Sequence, residues 1–371
     1  MRKFRRIVFT ALLLGVFGLL SGYLFSSSTA VASTPGGDFN LITDRAADQN
    51  IVVRVYFDSR AGLDAVSGEL DIWEVHHDQG YFVAMMSPAQ HDWLVALDYR
   101  VEIDLEKTAG LMAPLDARYH YFDSNYSNPN GNYMINTLQW VNMMNDNTTE
   151  LIDIGNAWQA DHGGYHRDIW VLRITNEDPA YGAIEDKPPF FMLANIHARE
   201  VTTPEMAIRY IMYLTSGYNV DPDVTWLVDH NVVYILVSAN PDGHRINEAD
   251  TGLNRRKNMD SDDGCTTSGS WGVDLNRNSS FKWGCCGGSS SSACSDTYRG
   301  PARASEPETM AFQSFFASIF TDYNGANGDD EVPPAAPENA MGIFISLHTY
   351  SDLVLWPWGF TSSASPQRQP S

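Results

Sequence analysis

Apolar positions recur along this chain at two spacings, and the switches between them mark out its elements. Ile51-Val52-Val53-Arg54-Val55-Tyr56-Phe57 is a strand run, Ser59 to Val66 has helical spacing, and Leu70 to Val75 is a second strand. A turn at Asp78-Gln79-Gly80 leads into Tyr81-Phe82-Val83-Ala84-Met85-Met86. Pro88 to Leu97 reads as a helix, with Pro at a favoured first position and Trp93, Leu94 and Leu97 on one face. Arg100 to Ile103 closes a βαββαβ set.

The pattern then changes. Ile135, Leu138, Val141 and Met144 follow helical spacing, while Ile152 to Trp158 and Asp168 to Ile174 alternate like edge strands. Pro189 to Ala194, Val232 to Val237 and Met341 to Leu347 are continuous apolar runs, as in strands buried on both faces. Thr203-Pro204-Glu205 opens a helix with Ile208, Ile211, Met212 and Leu214 on its apolar side. Ser305-Glu306-Pro307-Glu308-Thr309 opens another, with capping residues ahead of Phe312, Phe315, Phe316 and Ile319. Ser238 to Gly243 is a turn cluster. The expected fold is an α/β domain over residues 130–371, a mixed and largely buried sheet flanked by helices. A small α+β ferredoxin-like domain precedes it at residues 50–104.

The ends and joints are polar or biased. Arg2-Lys3-Phe4-Arg5-Arg6, the apolar run Ile7 to Phe25 and Ala30-Val31-Ala32 read as a secretory signal peptide over residues 1–32. An uncleaved anchor is the alternative, and the small-residue cleavage site favours removal and export. Residues 105–129 form a linker whose composition suits an exposed cleavage region. The small domain is then either a packed accessory module or a pro-segment covering a neighbouring site. Tyr323 to Glu338 reads as a surface loop, and Thr361 to Ser371 is low in complexity.

The sequence holds 46 acidic and 24 basic residues, a net charge of -22. Losing Arg2, Lys3, Arg5 and Arg6 with the signal peptide makes the mature chain more acidic still. Nucleic acid and anionic membranes are therefore excluded as expected partners. A secreted monomer, without stable membrane association after cleavage, is the expectation.

Candidate chemistry gathers at strand ends. His197 and Glu200 follow the run ending at Ala194, and His348 follows the run ending at Leu347. Imidazole and carboxylate suit a divalent metal such as zinc, although an H-x-x-E pair alone equally suits a structural contact. Arg255-Arg256-Lys257-Asn258 and Asp274-Leu275-Asn276-Arg277-Asn278 are basic clusters in an acidic chain. Each reads as a solvated loop or as a fork for an anionic group, since Arg grips carboxylates through two parallel hydrogen bonds. Cys265, Cys285, Cys286 and Cys294 lie in one loop-rich segment and suggest two disulfides, with Cys285–Cys286 the least favoured pairing.

Together these motifs resemble the zinc carboxypeptidase family, of the carboxypeptidase A and carboxypeptidase T type, from about Tyr133 to Phe360. His197-Ala-Arg-Glu200 and Ser346-Leu347-His348-Thr349-Tyr350-Ser351 match its two metal motifs, and Val273 to Asn278 its substrate-carboxylate motif. Trp283 to Ser290, Tyr298-Arg299-Gly300-Pro301 and Ser305 to Glu308 resemble its bacterial members. The resemblance implies one zinc ion on His197, Glu200 and His348, activating water. It also implies Asn276 and Arg277 holding a peptide's C-terminal carboxylate, Arg256 near the carbonyl, and Thr349 and Tyr350 lining the adjoining subsite. Peptide or protein C-termini are then the partners.

Two departures stand out. Met259 occupies the position of a second family arginine, where Arg255 is the one nearby substitute. The general-base glutamate, the mobile tyrosine and the specificity pocket lie in the family well beyond the second metal motif, whereas this chain runs only from His348 to Ser371. The expectation is a secreted zinc metallocarboxypeptidase precursor, cut short and lacking an identifiable general base. The rivals are an inactive secreted zinc- and peptide-binding homologue and an amidase of similar fold.

Overall fold

Why residues 51–103 fold as one unit follows from their alternation. The computed structural model describes residues 51–108, 133–248, 254–323 and 337–360, apart from 106, 165, 268, 351, 352, 356 and 358. The signal-peptide region, nearly all of the linker and the segment 361–371 lie outside the described residues, as does most of the 323–338 loop. Strands β1 (Ile51–Tyr56), β2 (Asp71–His76), β3 (Tyr81–Met86) and β4 (Val101–Ile103) pair antiparallel in the order β2-β3-β1-β4. Helices α1 (Arg60–Ser67) and α2 (Pro88–Ala96) connect them. One face of β1 and β3 (Ile51, Val53, Val55, Phe82, Ala84, Met86) packs on Leu63 and Val66 of α1 and Leu94 of α2. The other face carries Val52, Val83 and Met85, with Trp73 of β2, and is buried as well. Leu97, read as part of the apolar face of α2, is 49% exposed beyond its end.

The larger sheet has the order β5-β6-β8-β7-β9. Its strands are β5 (Thr149–Asn156), β6 (Asp168–Ile174), β7 (Pro189–Leu193), β8 (Val232–Leu236) and β9 (Ile343–Ser346). The β5/β6 and β6/β8 pairs are antiparallel, and β7 pairs parallel with β8 and β9, so the sheet is mixed. Helices α3 (Tyr133–Met144), α5 (Thr202–Gly217) and α6 (Pro222–His230) cover one face through Leu138, Ile208, Ile211 and Val228. Helix α9 (Pro307–Ile319) covers the other through Ala311 and Phe312 against Phe191 and Leu236. Short helices α4 (Trp158–Asp161), α7 (Pro241–Glu248) and α8 (Leu275–Asn278) lie in the connections.

Five expectations change. Strand β6 is internal: Val171 and Leu172 face opposite clusters, because β8 pairs on its second edge. Only Ser238 to Asn240 of the turn cluster stay outside a helix: α7 begins at Pro241, which sits where a helix tolerates a missing N–H. Glu306 caps α9 without a side-chain bond, its carboxyl being engaged elsewhere. Strand β9 is not buried, with Ile343 59%, Phe344 49% and Ile345 40% exposed. Among the described residues it pairs with β7 alone. Met144, at the end of α3, is also exposed.

Candidate metal centre

Parallel pairing brings the first and second metal motifs together. The register opposes Leu193 to Ser346, and the Leu347 N–H donates to the Leu193 carbonyl at 2.8 Å. Both strands therefore end on the same side of the sheet, where open α/β folds bind ligands. Beyond β7, Asn195 takes a φ of 56°, in the left-handed region that Asn tolerates better than most residues. It turns the chain and holds the turn: its Nδ2 donates to the carbonyls of His197 and Ala198, and Ser238 Oγ donates to its Oδ1. Asn240 Nδ2 braces the same turn by donating to the Ile196 and Arg256 carbonyls.

His197 and Glu200 are buried, while His348 retains 32% side-chain exposure. His197 Nδ1 lies 2.8 Å from Glu200 Oε1, and His348 Nδ1 lies 3.1 Å from Glu200 Oε2. One ligand atom from each of the three falls within 4.8 Å of the others. The far nitrogens have their own partners. His197 Nε2 is 3.2 Å from Asp274 Oδ1, and His348 Nε2 is 3.2 Å from Ser346 Oγ. Two imidazoles presenting one nitrogen to a common carboxylate, with the other nitrogen held from behind, is the donor arrangement that zinc sites use. The residues present therefore fit a zinc ion.

Electrostatics hold Glu200 in its charged form. Burial opposes charge on Glu200, yet His197 and His348 bring its carboxyl down to about 2. Burial and Arg256 work against protonation of His197, and Glu200 with Asp274 outweighs them, so its value is raised. Asp274, fully buried, is held well below the carboxylate range by Arg256 and His197. The sequence reading gave Asp274 no role, though its position two residues before Asn276 was a signal. Here it ties His197 to Arg256, whose Nη2 donates to Asp274 Oδ2 at 2.8 Å.

The small domain enters the same charge cluster. Asp71, from β2, pairs with both Arg199 and Arg256. Its carboxyl is pulled below the usual range, against burial, by those two guanidiniums. Trp73 donates from Nε1 to Asp71 Oδ2 at 2.9 Å, and its ring centroid lies 4.8 Å from that of Tyr350. The acid in Leu70-Asp71-Ile72-Trp73, inside an apolar run, signals a need for a buried partner without naming it. Arg199 also faces Asp296 at 3.7 Å. Arg277 is half-buried, its charge facing Asp274, and Asn276 is exposed. Thr349 is half-buried and Tyr350 exposed, immediately after His348.

The Arg255 guanidinium is engaged by backbone and an indole ring. It donates to the carbonyls of Asn258 and Trp271 and stacks 3.8 Å from the Trp271 ring centroid. Met259 is itself buried. The disulfides are Cys265–Cys294 and Cys285–Cys286, so the disfavoured vicinal pairing is the one formed. Cys265 and Cys294 bring their Cα atoms to 5.2 Å, within ordinary bridging distance, which leaves the neighbours to each other. Cys286 adopts a φ of 67° between Gly284 and Gly287, both also at positive φ.

The zinc carboxypeptidase family profile matches residues 134–370. This chain belongs to that zinc-using family. It is 35% identical over 222 residues to a zinc carboxypeptidase of Saccharothrix mutabilis subsp. capreolus, covering 58% of this chain and 43% of that protein. It is 31% identical over 248 residues to zinc carboxypeptidase A 1 of Drosophila melanogaster, covering 66% and 47%. The chain thus spans about half the length of the curated relatives it matches or less. Its fold is similar to that of the carboxypeptidase A from Helicoverpa armigera, with a TM-score of 0.58 and 21% identity over 83% of this chain and 71% of the other.

Proposed function

We propose that the chain belongs to a secreted zinc metallocarboxypeptidase precursor that releases C-terminal residues from peptides. The observation carrying this reading is the convergence of His197, Glu200 and His348 within 4.8 Å, inside a family defined by zinc. These three would hold one zinc ion, which when bound supplies Lewis-acid polarisation of a carbonyl and a more acidic water. Arg277 and Asn276 hold the substrate's terminal carboxylate, and that clamp orients the last peptide bond. Arg256 faces the carbonyl, and Thr349 and Tyr350 line the adjoining subsite. Peptide C-termini are the partners of a monomer acting outside the cell. Among the described residues no helix is long and apolar enough to cross a membrane.

Residues 50–104 act as a pro-segment. Asp71 occupies Arg256, and Trp73 covers Tyr350, so the latent form has its arginine engaged and its approach closed. Cleavage within residues 105–129 would release both. The test is zinc content and peptide release by the full chain, before and after limited proteolysis, with C-terminally amidated peptides as controls. One zinc per chain, with release that needs a free carboxylate and rises on proteolysis or in Asp71→Asn, is expected. Equal release from amidated peptides would overturn the clamp, and unchanged latency in Asp71→Asn would overturn the pro-segment role. A second reading, a zinc- and peptide-binding homologue without turnover, is favoured by Met259, whose thioether cannot donate a hydrogen bond. Zinc uptake with no release after proteolysis would establish it.

A further inference from the structure

Asn258 stands at the junction of three segments and is fully buried. Its N–H donates to the Val273 carbonyl at 3.0 Å, and its Oδ1 accepts from the Val273 N–H at 2.8 Å. Its carbonyl accepts from Arg255. The Gly272 backbone, at φ 101°, passes so close that a Cβ there would stand 2.4 Å from the Asn258 oxygen. This contact bolts the loop bearing Arg256 to the loop bearing Asp274. The Asn258 Nδ2 then donates to two carboxyls, Glu306 Oε2 at 2.7 Å and Glu308 Oε2 at 3.2 Å. Both are buried at the start of α9. Glu308 Oε1 also accepts from the Trp158 N–H at 2.9 Å, and Ser305 Oγ donates to Glu306.

We propose that Asn258, Glu306 and Glu308 form a proton-bearing positioning network that keeps the Arg256 and Asp274 loops in register at the metal centre. Two buried carboxyls around one amide cannot both carry charge cheaply, so a proton stays with the pair. The groups facing them deepen the effect. Asp260 and Asp263 add negative charge, Tyr298 faces Glu306 and Asp263, and the cations of that loop, Arg255 and Lys257, are turned to backbone carbonyls. Burial first, then these like charges, raises Glu306 to about 7, and burial with Glu306 raises Glu308 to about 8. Both carboxyls bind a proton more tightly folded than unfolded, where the value is 4.5. Their contribution to stability is therefore full below 4.5 and is lost as pH rises through about 7 to 8.

The role toward the metal rests on the zinc reading above, so two readouts are needed. Thermal unfolding of the full chain in a chelator follows the proton without metal, and the absorption spectrum of the cobalt-loaded full chain follows the site's geometry. The unmodified chain should lose thermal midpoint from pH 4.5 to 8, and Glu308→Gln, neutral and of the same shape, should flatten that loss. Its cobalt spectrum should also lack the alkaline change expected of the unmodified chain. Asn258→Ala should weaken cobalt binding about 10-fold, the lower end for groups behind metal ligands. An identical pH profile in Glu308→Gln overturns the shared proton. Unchanged cobalt affinity and spectrum in Asn258→Ala overturns the positioning role. Should Asn258→Ala not fold, Glu306→Gln replaces it, and an unshifted pH dependence of its cobalt spectrum overturns the role equally. If the unmodified chain takes up no cobalt, the zinc reading fails alone, and the chelator profile still decides the proton.

Discussion

The two halves of the candidate zinc site are built differently. His197 and Glu200 stand on a turn pinned by Asn195 and Asn240, and Asp274 and Arg256 back them in the interior. His348 stands two residues past an apolar edge strand that is largely bare among the described residues, with only Ser346 behind it. One half is held by buried charges that need one another. The other is held by backbone pairing to β7 and by ring contacts of Phe344 with Phe191 and Phe316. A three-ligand site can thus be anchored on one side and depend on strand register on the other.

Substituting the ligands separates the halves most sharply. His197→Ala should abolish zinc binding and destabilise the metal-free chain by about 1–3 kcal/mol, because Glu200 and Asp274 each lose one buried partner and keep His348 and Arg256 respectively. His348→Ala should abolish zinc equally but shift metal-free stability by less than about 0.5 kcal/mol, as for other exposed positions. Denaturant unfolding in chelator, with metal content measured separately, checks both. Equal destabilisation would end the comparison.

The stapled loop next to the anchored half comes second. Cys265 and Cys294 are 29 residues apart, so replacing both with Ser should cost about 3–4 kcal/mol by loop-closure entropy. Replacing Cys285 and Cys286, which close no loop, should leave the unfolding midpoint almost unmoved. Third, Asp274→Asn should lower zinc affinity by about 10–100-fold, since His197 loses the charge behind it and Arg256 loses a partner. Isothermal titration against a chelator-buffered zinc series reads this. The smallest effect belongs to the bare half. Ile345→Thr on β9 should change stability by no more than about 0.5 kcal/mol while raising solubility.

The three ligand candidates were legible because each follows an apolar run that reads as a strand. The βαββαβ order of the small domain was legible for the same reason, since period-2 and period-3.6 patterns are local properties. Asp71 and Asp274 were not read as site residues. Their partners lie 128 and 77 residues away, and no local pattern encodes a contact across that distance.

The sequence by itself determined most of the elements, the acidic balance and the motifs that carry the family. These depend on side-chain chemistry repeated over short windows. Only the tertiary structure decided the rest. Parallel register between β7 and β9 set Glu200 between two imidazoles. Packing of β2 against the larger domain placed Asp71 on Arg199 and Arg256. The approach of Cys265 to Cys294 left Cys285 to its neighbour. The exposure of β9, against its apolar pattern, was also set by what pairs with it. The physical reason is common to all four: an apolar or charged residue specifies that it needs a partner, and the folded chain specifies which one.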